Sequence, residues 1–189
     1  MPVLAEDARS PSITRSFRFE TDVLTVLDEE AKRMGVSVNA LVGIILRRYA
    51  EFTRYLSKID MIVINREVLT TLLEQVDEEE LHKIGSKLGE TVLADTIMFW
   101  KKEKTERALM EYIEKMMCRY GHLGTYDERR TSEGGMAIVV RHRLGKKGSR
   151  FLEGYLQGGI NHTLGVNATF EVTDSSVKCE IPATKKQVL

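Results

Sequence analysis

The chain has 189 residues, 42% hydrophobic and 30% charged, a globular composition that is not that of a disordered chain and that fits one ordinary domain or two small ones. Lysine and arginine number 28 against 28 acids, so the net charge is zero and the basic excess that usually marks a nucleic-acid binder is missing. No apolar run approaches the roughly 20 residues of a membrane span, and the opening MPVLAEDARSPS lacks the layout of a signal peptide. Two cysteines, Cys118 and Cys179, are too few for a disulfide framework, so the expectation is a cytoplasmic protein with free thiols and no membrane partner.

Residues 1–12 mix small residues, prolines and charges without periodicity and read as an arm. From Ile13 to Phe19 the alternation fits one strand, with Phe17 and Phe19 on one face and Thr14, Ser16 and Arg18 on the other. Thr21 or Asp22 then caps a helix whose apolar positions Leu24, Leu27, Ala31 and Met34 follow helical spacing, and Gly35 closes it. Ser37 caps a second helix carrying Val38, Leu41, Val42, Ile45, Leu46 and Tyr49 on one broad face, continuing through Phe52, Tyr55, Leu56 and Ile59. One strand cannot satisfy its own hydrogen-bond ladder, and so short a unit buries too little surface to stand alone, so the pattern asks for a second copy.

Strand, helix and helix with this punctuation, in SFRF, LDEEAKRMGVS and NALVGIILRRY, resemble the ribbon-helix-helix family of DNA-binding transcription factors over about Ser16 to Tyr49. The resemblance implies an intertwined dimer over residues 13–58, its paired strands lying in the major groove of double-stranded DNA. It places Phe17, Phe19, Leu41, Val42 and Ile45 in the dimer core and gives Thr14, Ser16 and Arg18 to base edges. Arginine can grip guanine bidentately, and hydroxyls both donate and accept. The start of the second helix at Ser37, Val38 and Asn39 is expected to hold a DNA phosphate. Three features depart from the family pattern: Arg15 has the inward phase, Gly43 is a mid-helix glycine that points to close helix approach in the dimer, and Ile44 stands where a polar residue is usual. Residues 1–58 carry nine basic residues against eight acids, so the unit is not strongly basic.

Residues 59–189 read as an α+β domain with an antiparallel sheet, serving assembly or the sensing of a small-molecule or anionic effector. In it MIVI, residues 61–64, reads as a short buried strand, and REVLTTLLEQV as a helix. One or two helices follow, interrupted near Gly85 to Gly89, and then an amphipathic helix through Leu109, Ile113, Met116, Met117 and Tyr120. Next come a hairpin turning at Ser132 to Gly135, a helix closed by Gly165, and a hairpin turning near Asp174 and Ser175. Gly154 and Gly158 are expected to let the last helix pack closely on the sheet.

Cys118, His122, His142 and His162 are the residue types that bind metals, with Cys118 and His122 four apart. Their convergence is weak, and core or surface histidines are the more frequent outcome, so no metal or other cofactor is expected. RHRLGKKGSR leads into a helix with five basic residues and no acid, so Lys146, Lys147, Ser149 and Arg150 form a possible anion site beside the plainer reading of a solvated turn. No nucleophile elbow, dinucleotide fingerprint or metalloprotease helix is present, and an enzyme is not expected. The reading is a transcriptional regulator, dimeric or tetrameric. Its alternatives are a protein-binding or antitoxin-like assembly module whose ribbon only dimerises, and a metal-responsive regulator.

Overall fold

A computed structural model describes residues 13–183; the arm expected over residues 1–12 lies outside the described residues. The chain divides into two compact units between Arg47 and Arg48.

In the first unit, α1 spans Thr21–Met34 and α2 begins at Val38, running to Arg48. The cap of α1 is Glu20 and not Thr21 or Asp22: its extended backbone opens the helix with no side-chain bond, while Asp22 sits in the first turn, where an acid suits the dipole. Gly35 ends α1 at φ 68°, and the Val36 N–H donates to the Ala31 carbonyl at 3.0 Å, a six-to-one closure that only a left-handed residue completes without strain. Ser37 opens α2 as expected, its Oγ accepting the Ala40 N–H at 3.2 Å. Residues 13–20 form no strand among the described residues, because an extended segment makes a ladder only where another strand meets it.

The second unit takes over the same helix. Past Arg48 it continues through a π-helical turn, Tyr49–Thr53, into α3, Arg54–Leu56. The chain divides well before residue 58 because Phe52 is buried, and Tyr55, Leu56 and Ile59 pack against the core of this unit. Phe52 stacks on Tyr120 at 5.5 Å between centroids, and the Tyr120 hydroxyl donates to Glu51 at 2.5 Å. Then follow α4, Arg66–Leu73; α5, Glu78–Leu88; a π turn, Gly89–Leu93; α6, Ala94–Lys101; and α7, Glu106–Glu111, prolonged by a π segment, Tyr112–Arg119. Asn65 and Thr105 cap α4 and α7, accepting backbone N–H groups at 2.8 and 3.1 Å.

The fold class of this unit is α+β. Strands β1, Gly124–Arg130, and β2, Met136–His142, form one hairpin; helix α8, Gly145–Leu164, crosses to a second hairpin of β3, Thr169–Thr173, and β4, Ser176–Ile181. All pairs are antiparallel and the order is β1-β2-β4-β3. In register, Ile138 faces Cys179 and Val140 faces Val177, and these four join Leu152, Leu156 and Ile160 of α8 in the core. The other face is polar, with Arg141 paired to Asp127, and Lys178 to Glu171 at 2.8 Å.

Helices α5 and α8 meet through glycine. A Cβ on Gly85 or Gly89 would stand 2.2 Å from the Phe151 carbonyl oxygen or 2.1 Å from that of Tyr155; on Gly154 or Gly158 it would stand 2.1 Å from the carbonyl oxygens of His82 or Ser86. The two glycine pairs are therefore reciprocal, and the helices touch backbone to backbone. This corrects two expectations. Gly85 does not interrupt its helix, and Gly154 and Gly158 serve the α5 contact and not the sheet.

The strand expected at 61–64 is absent. Met61, Ile62, Val63 and Ile64 are 41%, 81%, 92% and 44% exposed and lie in a loop, because among the described residues no strand pairs with them.

Candidate functional site

The residues expected to read DNA lie at the start of the described chain. Thr14, Ser16 and Arg18 are all exposed, and Phe17 and Phe19 place their rings on one side, 6.4 Å between centroids. Phe17 is 62% exposed, an unusual position for an aromatic side chain in a finished fold. Ser37 and Asn39 are exposed and Val38 is half-buried at the opening of α2, where the first N–H groups have no intrahelical acceptor and can take an anion.

Of the five residues expected in a dimer core, only Leu41 is buried; Val42 is half-buried, and Ile45, Phe17 and Phe19 are exposed. Across residues 13–47 the buried side chains are Ala31 and Leu41 alone. The apolar stripe of α1 and α2 is therefore present in sequence and unburied in the single chain, with Leu24, Met34 and Leu46 also exposed. Among the described residues a Cβ at Gly43 would meet nothing within 4 Å, so no close approach among them accounts for that glycine.

The second unit disperses the other candidates. Lys146 pairs with Glu78 at 2.8 Å, Lys147 donates to the Glu74 carbonyl at 2.6 Å, and Arg150 pairs with Glu153. These cations tie α8 to α4 and α5 and to itself, and they do not converge on one anion. Ser149 is fully buried against His142, its Oγ 3.0 Å from Nε2. The His142 Nδ1 accepts the Leu144 N–H at 3.1 Å, so Nε2 carries the ring proton and its N–H donates a hydrogen bond to the serine Oγ. That polarity is the reverse of a serine activated by a base, no carboxylate orients the ring, and burial pushes the imidazole pKa down. The pair is a satisfied polar contact at the mouth of α8.

The metal-type residues are also separated by the fold. Cys118 is buried near the end of a π segment, whereas His122 lies beyond the helix in a left-handed conformation at φ 54° and is exposed, so their spacing of four does not make a helical pair. His162 contacts the Lys104 ammonium at 3.0 Å. Burial pushes the Cys118 thiol up to about 11 and the Cys179 thiol up to about 12, so neither is a thiolate at neutral pH. Among the described residues no three His, Cys, Asp or Glu side chains gather as a metal-binding set. No helix of the described residues is long and apolar enough to cross a membrane.

Sequence reasoning missed the charge cluster on Glu111. This carboxylate is held by Lys101, by Arg107 at 3.1 Å and by Lys115 at 3.5 Å. Burial raises its pKa, but hydrogen bonds from Lys101 and Arg107 and the charges of Lys101 and Lys115 outweigh that and bring it down to about 2. Arg107 and Lys115 stand four residues on either side and were visible in the sequence; Lys101, from another helix, was not.

Compared with known proteins, the chain matches no family model, no curated protein and no solved structure.

Proposed function

We propose that the protein is a DNA-binding transcriptional regulator whose residues 13–47 pair with those of a second copy as a ribbon-helix-helix dimer. The observation that carries this reading is the burial of only Ala31 and Leu41 in a unit of two amphipathic helices. Ordering a backbone costs about 1–2 kcal/mol per residue, which two buried aliphatic groups do not offset. A second copy supplies the missing surface, covers Phe17 and Phe19, and completes a ladder that one extended segment lacks. Thr14, Ser16 and Arg18 then face outward from the paired ribbon, and the openings of the two α2 helices flank it as phosphate sites. The second unit serves assembly or effector binding.

The test is retention of duplex from a genomic fragment library at low salt, followed by affinity against salt. A reader loses affinity steeply as salt rises, and Arg18→Ala reduces discrimination at its base by about 1–3 kcal/mol while keeping most of the salt slope. If no duplex is retained, the reading is lost and the paired unit serves protein assembly alone.

A further inference from the structure

We draw no further inference here: the strongest candidate, the polar cleft at the end of the sheet lined by Arg129, Ser132, Glu133, Thr169 and Glu180, has an exposed lining that sets acids beside its arginine, and nothing in the structure shows what fills it.

Discussion

The Ser149 Oγ accepts a hydrogen bond from the His142 Nε2–H at 3.0 Å, while the Nδ1 of the same ring accepts the Leu144 N–H at 3.1 Å, so a buried imidazole is fully satisfied by its own strand-to-helix turn. Ser149→Ala removes the acceptor and strands that N–H in the core. The expected cost is about 1–3 kcal/mol, read as a lower urea midpoint with an unchanged slope.

His142 also gives the second unit an acid limb. Burial holds its folded pKa below the ordinary value of about 6.5. The unfolded chain therefore binds the proton first, and this contribution to stability is complete above about pH 6.5 and lost as the pH falls below it. His142→Gln should flatten the dependence of melting temperature on pH in that window.

A second limb lies lower. Glu111 titrates near 2 in the folded state, below the usual glutamate value of about 4.3. Its contribution is present above the unfolded value and declines as the pH drops from there toward 2. Glu111→Gln leaves Lys101, Arg107 and Lys115 facing one another without an acid, and should lower stability by about 1–3 kcal/mol at neutral pH while flattening that limb. Urea unfolding at neutral pH and at pH 3 separates the two effects.

The α5–α8 crossing sets a steric limit. Gly89→Ala places a methyl group 2.1 Å from the Tyr155 carbonyl oxygen, which cannot rotate away. The helices must separate, with an expected loss of about 1–3 kcal/mol or more, measured by urea unfolding. The gain of about 1 kcal/mol in intrinsic helix propensity does not reverse that sign.

Phe17→Glu should leave the second unit folded, since Phe17 belongs to the first. The expected result is loss of the association carried by residues 13–47 and of duplex binding. The melting transition of the second unit should persist, as followed by near-UV circular dichroism of Trp100 and the tyrosines.

Much of this architecture was legible because turn chemistry is local. Gly35 and Gly165 each end a helix with a left-handed residue, and both hairpins turn where small and polar residues cluster. What was hidden depended on neighbours. MIVI has the composition of a buried strand, yet burial and pairing require another strand, and none arrives among the described residues. Helical phase also drifted: the π segment Tyr112–Arg119 bonds one residue further along than an α-helix, so Cys118 is buried while Met117 is only half-buried. Gly85 and Gly89 looked like helix breakers because glycine has low propensity, whereas their meaning came from α8, more than sixty residues away. For the candidate DNA face, the order of residue types was plain from the alternation of Phe17 and Phe19, but both rings stay exposed among the described residues, so their packing was not to be read from this chain.

The glycine crossing carries one more consequence. Where two helices rest on side chains, a rotamer change can absorb a small displacement; where carbonyl oxygens and α-carbons touch, no torsion is available to do so. The spacing of α5 and α8 is thus fixed by the thickness of the peptide itself. Random mutagenesis should find the sheet layer forgiving of aliphatic exchange and these four positions closed to every other amino acid.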